Sequence, residues 1–166
     1  MSKGLIKIYY GNARGKSPAA LGYALAAACE GREVFIVQFL KGRMAGDMGF
    51  LKRLEPEIKA FRFDREASYY EDLSPEEKEE EKINILNGLG FVRKVLSIGE
   101  CDLLILDEIL GLVDLGIISS EDVIRLLELR QEETEVVLTG RRLPEELMDY
   151  ADVIVSLNLV KPSGDA

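Results

Sequence analysis

Residues 6–17 read IKIYYGNARGKS, an apolar run that breaks into a glycine-containing loop ending in Lys16 and Ser17. The run Leu5–Tyr10 has the β-branched and aromatic content of a strand. The alanine-rich stretch that follows Ser17, PAALGYALAAA, has that of a helix. Strand, glycine loop, Lys-Ser and helix come in the order a phosphate cradle needs. Backbone N–H groups and a helix N-terminus face the anion, and a lysine reaches its outer oxygens. Gly11, Asn12, Ala13, Arg14, Gly15, Lys16 and Ser17 are therefore the candidate nucleotide-binding residues, with the Ser17 hydroxyl a candidate Mg2+ ligand. The usual pattern has glycine where Tyr10 stands, and an ordinary glycine turn leading into a helix is the competing account of the loop taken alone.

Working outward, five further apolar runs punctuate the chain: Val34–Phe39, Ile58–Phe63, Asp102–Asp107, Glu135–Thr139 and Val153–Leu157. Several are nearly continuous in Val, Ile and Leu, as strands covered on both faces are. Helical patterns alternate with them, which predicts an α/β fold of three layers around a largely parallel six-stranded sheet. The helix signals are specific. Ser74, Pro75 and Glu77 form a capping box, and Ile85, Leu89, Val92 and Leu96 then fall on one face. Gly88 and Gly90 mark either a close packing contact or a break in that helix. Ser119 to Asp122 repeats the cap signal ahead of Val123, Leu126 and Leu127, and Pro144–Glu145–Glu146 opens a short helix. No internal repeat or low-complexity linker divides the chain, so residues 1–166 read as one nucleotide-binding domain with a polar, frayed tail over 160–166.

A second chemical feature is DLLILDE, an apolar run closed by the adjacent carboxylates Asp107 and Glu108. In a parallel sheet such a strand end lies at the edge where ligands bind, beside the phosphate loop. A carboxylate there can hold Mg2+ through its waters, and its neighbour can orient a reactant. A helix N-cap is the alternative role for Asp107. A third feature is Leu138-Thr139-Gly140-Arg141-Arg142, where Arg141 could brace a triphosphate with two parallel hydrogen bonds.

Composition removes whole classes of function. Histidine is absent, which excludes imidazole bases, His-based triads and His metal ligands. The net charge of −9 argues against a nucleic-acid backbone binder, which needs clustered positive charge. Cys29 and Cys101 form no metal or disulfide pattern and read as buried free thiols. No stretch has the length of a membrane-spanning helix and the N-terminus has no signal-peptide pattern, so the expected compartment is the cytoplasm.

Taken together, GNARGKSPAALGYALAA (11–27), VFIVQFLKG (34–42), DLLILDEI (102–109) and VVLTGRRLPEELMDYADVI (136–154) resemble the bacterial P-loop ATP:corrinoid adenosyltransferases. The similarity runs from Gly4 to about Lys161. It implies a RecA-like P-loop fold and transfer of the 5′-deoxyadenosyl group of ATP to a Co(I) corrinoid, with release of triphosphate. ATP and a corrinoid would be the substrates and Mg2+ the cofactor, with a corrinoid reductase and a second copy of the chain as candidate partners. The family loop, typically GNGKGKTT, also lacks the first glycine, so Tyr10 conforms. The resemblance places Asn12, Gly15, Lys16 and Ser17 on phosphate, Ser17 with Asp107 or Glu108 on Mg2+, and Arg141 on phosphate. It gives Lys16 and Arg141 the catalytic task of neutralising the leaving triphosphate, and sets Tyr69–Tyr70 beside the corrin, loop packing being an equal alternative. Co(I) is itself a strong nucleophile, which suits a chain without histidine.

The departures from the family pattern concentrate at the site. Ala13 replaces a glycine, which would cost about 1 kcal/mol if that position needs positive φ. Pro18 removes one N–H at the helix start. The chain ends soon after Lys161, where relatives continue into a glycine-containing tail, and it has no tryptophan. Two other readings therefore stand beside the enzyme: a non-catalytic nucleotide-binding or regulatory paralogue, and a general P-loop ATPase that releases phosphate.

Overall fold

The structure, a computed structural model, describes residues 3–40, 48–64 and 68–163. Six parallel strands form one sheet: β1 (Ile6–Tyr10), β2 (Val34–Gln38), β3 (Ile58–Arg62), β4 (Leu103–Asp107), β5 (Glu135–Gly140) and β6 (Val153–Ser156). Their spatial order is β3-β2-β4-β5-β1-β6. Each predicted run is a strand to within one residue at either end, and the sheet is wholly parallel.

Among the described residues, five α-helices lie in the connections: α1 (Lys16–Cys29), α2 (Met48–Leu51), α3 (Pro75–Ile98), α4 (Ile109–Asp114) and α5 (Ser120–Glu128). The period-two alternation of the strands sends side chains to two separate cores. Leu103, Ile105, Val137, Val34 and Ile36 pack with Ala20, Ala24 and Ala27 of α1. Leu104, Leu106, Val136, Leu138, Ile6 and Ile8 pack on the other face with α3, α4 and α5. Central strands covered on both sides need no polar face, which is why β2, β4 and β5 read as unbroken apolar runs. The edge strand β6 is the exception, with Val153 and Val155 exposed.

The start of α3 is a full capping box: Glu77 N–H donates to Ser74 Oγ at 3.2 Å, and Ser74 N–H donates to Glu77 Oε2 at 2.7 Å. The same device, built from Ser119 and Asp122, starts α5. Such caps each contribute about 1 kcal/mol. Gly88 does not break α3. A Cβ there would sit 2.7 Å from Phe63 Cγ, so the glycine admits the Phe63 ring against the helix. The segment after Pro144 is a single 3-10 turn, Glu145–Leu147. Residues 160–163 of the expected tail are exposed, and 164–166 lie outside the described residues, as do Lys41 and Gly42 of the second quoted stretch.

The cysteines divide. Cys101 is buried, and burial pushes its thiol up to about 12. Cys29 is exposed, contrary to the expectation of two buried thiols. It is the last residue of α1. The stripe that faces the core is Ala20, Ala24 and Ala27, and Cys29 is off it.

At the N-terminal end of the sheet, on the α1 face, a polar cluster interrupts the apolar core. Lys7 Nζ donates to Tyr23 Oη at 2.9 Å and lies 3.3 Å from Glu135, whose other oxygen meets Arg32 at 3.1 Å. Tyr23 in turn donates to Glu135. Burial opposes the Glu135 charge, but the Tyr23 hydrogen bond, the Lys7 charge and the Arg32 hydrogen bond together hold its carboxyl below the usual range. Burial likewise opposes the Lys7 charge, and Tyr23 with Glu135 outweighs it and raises the ammonium pKa.

Candidate functional site

Parallel strands deliver all their C-terminal ends to one edge of the sheet, where ligands bind in open α/β folds. Here that edge carries the 11–17 loop after β1, Asp107–Glu108 after β4 and Arg141 after β5. The strands β1 and β4 are not adjacent, because β5 lies between them. What joins their ends is α1, which leaves β1 and packs across β5 and β4. Its second residue, Ser17, thereby reaches over the intervening strand, and its hydroxyl donates to Asp107 Oδ1 at 2.9 Å.

The loop is anchored by three backbone hydrogen bonds. Gly11 N–H donates to Gly140 O of β5 at 3.2 Å, and Leu157 N–H just beyond β6 donates to Tyr10 O at 2.8 Å. Ala13 N–H donates back to Leu157 O at 3.4 Å. Gly11 has φ +133°, and a Cβ there would lie 2.1 Å from Leu157 O, so glycine is required on both conformational and steric grounds. Gly15 has φ −82° and caps α1 without a side chain. The strain expected at Ala13 is not there. The described non-glycine residues with positive φ are Leu40 and Glu108 alone. Pro18 is the third residue of α1, in the first turn, where proline is tolerated because the N–H has no partner within the helix.

Lys16 is buried, and its ammonium folds back over the loop to donate to Gly11 O at 2.7 Å and Ala13 O at 3.1 Å. The lysine thus braces the curve of the loop while its charge stays inside it. Asn12 and Arg14 are exposed on the rim. Arg141 is exposed directly after Gly140, the β5 residue in register with Tyr10. It is therefore one strand from the loop.

Asp107 is buried at 3% exposure and receives a second donor on the same oxygen, the Thr139 hydroxyl at 2.8 Å. Thr139 Oγ1 also accepts from Glu108 N–H at 2.8 Å. Glu108 turns the chain out of β4 in the left-handed region, φ +65°, and is itself the residue preceding α4, so the N-cap role considered for Asp107 falls to its neighbour. Among the described residues no group of three or more Cys, Asp or Glu side chains forms a metal cage. The donor set that does exist, a hydroxyl against a carboxylate, is of the hard-oxygen kind. It fits Mg2+, which takes one or two protein ligands and completes its shell with water and phosphate.

Tyr69 and Tyr70 are not brought to this group. They follow β3 at the far edge of the sheet, four strands from β1, where Tyr69 is exposed and the Tyr70 ring faces Lys78 Nζ at 5.6 Å. A shallow hollow of about 270 Å³ near Ile6, Leu127 and Tyr150 lies toward the opposite end of β1 and has no part in the cluster. Sequence reasoning missed two contributors. Thr139 carried a signal, a lone polar residue closing the apolar run Val136–Leu138. Leu157 acts through its backbone, which its identity does not advertise. Among the described residues no helix is long and apolar enough to cross a membrane.

Comparison with known proteins shows the family of the chain and its fold. The model of the family described as ATP:corrinoid adenosyltransferase BtuR/CobO/CobP matches residues 2–165. The chain is 27% identical over 164 residues to the corrinoid adenosyltransferase of Escherichia coli strain K12, covering 99% of this chain and 81% of that protein. It is 29% identical over 164 residues, with the same coverage, to the corrinoid adenosyltransferase CobA of Salmonella typhimurium strain LT2. Among solved structures, the flagellar accessory protein FlaH of Methanocaldococcus jannaschii superimposes with a TM-score of 0.62 at 17% identity, covering 99% of this chain and 76% of that one. That likeness concerns the fold, which is RecA-like and of the P-loop class.

Proposed function

The chain belongs to the ATP:corrinoid adenosyltransferase family, and from that premise we propose that it transfers the 5′-deoxyadenosyl group of ATP to the Co(I) centre of a corrinoid, releasing triphosphate. The single observation that carries the reading to these residues is the 2.9 Å hydrogen bond from Ser17 to Asp107 beside the Lys16-braced loop. It joins the two halves of a magnesium–phosphate site through a helix that bridges an intervening strand.

In this reading the protein does little covalent work. The bond from C5′ of the ribose to the triphosphate oxygen breaks as cobalt supplies the electron pair for the new cobalt–carbon bond, and the oxygen leaves with its own pair. The tasks left to the chain are alignment and charge. Backbone N–H groups of the loop and of the N-terminal end of α1 donate to phosphate oxygens, those of Gly11 and Ala13 being engaged by Gly140 and Leu157. Lys16 exchanges its carbonyl partners for phosphate, and Arg141 meets the triphosphate from the β5 side. Ser17 and Asp107 would hold Mg2+, whose chemistry when bound is to neutralise phosphate charge, and Glu108 orients around them. Tyr69 and Tyr70 would contact the corrin.

Ordinary φ at Ala13 supports retained activity. Pro18 favours the second reading, a nucleotide-binding paralogue without transfer, since it withdraws an N–H from the helix end that faces phosphate. The reading also carries a cytoplasmic setting, a homodimer and a partner that reduces the corrinoid. Product analysis tests it. Under anaerobic conditions with MgATP and reduced corrinoid, triphosphate is expected. Orthophosphate would identify a general ATPase instead, and binding without either product would identify the paralogue.

A further inference from the structure

We propose that β6 is an interface between two copies of this chain, which pair edge to edge and antiparallel about a twofold axis and so join their sheets. The functional reading carries a homodimer without a surface; this inference supplies the surface and does not depend on the transfer chemistry.

An edge strand offers a row of backbone donors and acceptors to another chain, and folded proteins blunt such edges with charge or proline. The two edges of this sheet differ in that respect. β3 carries Lys59 and Arg62. β6 has β1 as its one neighbour among the described residues, and it bears neither charge nor proline. The uncharged run continues past the strand, from Val153 to Val160, in a chain whose net charge is −9. The backbone also stays anchored beyond β6. Leu157 N–H donates to Tyr10 O at 2.8 Å, and Leu157 O accepts from Ala13 N–H at 3.4 Å. The edge is therefore held in place before a partner arrives, which lowers the ordering cost of pairing.

The side chains of this edge are uncovered as well. Val153 and Val155 are in register with Lys7 and Tyr9, which face α1. α1 itself packs mainly over β4 and β5, so the valines lie outside its cover. They remain 37% and 39% exposed, and Leu159 and Val160 of the following segment are 60% and 95% exposed. Pairing two such edges sets the valines of one copy among those of the other, the cross-strand contact that stabilises sheets.

Charge identifies the occupant as a second copy. Two chains of −9 repel each other, and they approach most readily where neither presents an acid. The run 153–160 is such a place, and its flanks carry opposite signs: exposed Asp152 before it and exposed Lys161 after it. When the run pairs antiparallel with itself, the Asp152 end of each copy lies beside the Lys161 end of the other, twice by symmetry. Parallel pairing in register would instead put like charges together at both ends.

The experiment measures association by sedimentation equilibrium over a range of protein concentration, with far-UV circular dichroism alongside. The parent should approach twice the chain mass. Val153→Lys combined with Val155→Lys should weaken the dimer about a hundredfold or more, since four lysines then converge on the paired edges. Ile98→Lys, at an exposed apolar position of α3, should leave it within about threefold of the parent. Lys161→Glu should weaken it about three- to tenfold by placing acids together at both ends. Adding Asp152→Asn should recover part of that loss, because the Asn oxygen can still accept the Ile6 N–H that Asp152 Oδ2 accepts at 2.8 Å. A parent that is monomeric at every concentration, a dimer indifferent to the paired lysines, or one weakened equally by Ile98→Lys would each overturn the proposal. So would a Lys161→Glu variant that dimerises like the parent, or a loss that Asp152→Asn does not reduce. Should the paired-lysine variant fail to fold, Lys161→Glu with and without Asp152→Asn decides. A β6 dimer that transfers no adenosyl group would defeat the transferase reading and leave this one standing, and transfer by a monomer would do the reverse.

Discussion

Ser17 and Asp107, 90 residues apart in sequence, are joined by a 2.9 Å hydrogen bond that crosses over β5. Asp107 ends β4 and Ser17 follows β1 in α1, and those two strands are not neighbours. The contact exists because α1 starts at the loop and runs back over the sheet, so the first turn of that helix overhangs the end of β4.

If that contact marks the metal–phosphate site, removing either partner should weaken MgATP far more than metal-free ATP. Ser17→Ala and Asp107→Asn are each expected to cost about ten- to a hundredfold in MgATP affinity, the equivalent of one or two charge-assisted bonds. Their combined effect should be less than the product of the two, because they share one interaction. Calorimetric titration of the two single variants and the double variant checks this, and full additivity would show that the residues act independently.

Gly11→Ala addresses the loop. The added Cβ meets Leu157 O at 2.1 Å and the backbone is held at φ +133°, so the loop must shift. A cost of about 2 kcal/mol is expected, which lowers Tm by roughly 4–8 °C in a domain of this size. ATP binding should be lost with it. Gly15→Ala should be milder, because its φ is ordinary and its nearest atom is the flexible tip of Leu157 at 3.3 Å. Melting curves of the two variants are the check.

The thiols should react at separate rates. Exposed Cys29 is expected to react with a disulfide reagent in the native protein at mildly alkaline pH, whereas Cys101, buried and with its thiol pushed up to about 12, should react only on unfolding. One fast equivalent and one released by denaturant would be seen.

The cluster at the other end of the sheet predicts an acid-side loss of stability. Folding lowers the Glu135 pKa below its ordinary value of 4.5, so the native state binds that proton less readily than the unfolded chain. Its contribution is complete above pH 4.5 and is lost as pH falls through the lower folded value. Lys7 works in the opposite sense. Its raised pKa gives stability that is complete below 10.5 and lost as pH rises through the folded value. Urea denaturation of parent and Glu135→Gln across pH 3–7 should give a stability gap that is steady at neutral pH and narrows in acid. A gap independent of pH would show that the charge is immaterial.

The strands were legible because burial on both faces imposes a compositional rule that each run obeys, and the caps at Ser74 and Ser119 because they are local chemistry. The loop was legible for the same reason, since residues 11–17 are contiguous. Strand order was not, because nothing local in Asp102–Asp107 or Glu135–Thr139 records which of them borders β1. Ala13 shows the limit in another way. A substitution away from glycine signals strain only if φ is positive, and here Gly11 carries that conformation instead. Cys29 was misjudged because an apolar neighbourhood in sequence, AAAC, spans more than one face of α1. Thr139 lay in plain view in VVLTG, but its role depends on the register that puts it beside Asp107 and Glu108.

The most direct measurement of the central claim follows carbon rather than phosphate. ATP labelled in the adenosine moiety is incubated anaerobically with Mg2+, a chemically reduced corrinoid and the parent protein, and the corrinoid is then separated and counted. The account predicts label in the corrinoid in a one-to-one ratio with triphosphate, lost together in Ser17→Ala. ATP that binds yet leaves the corrinoid unlabelled would contradict it.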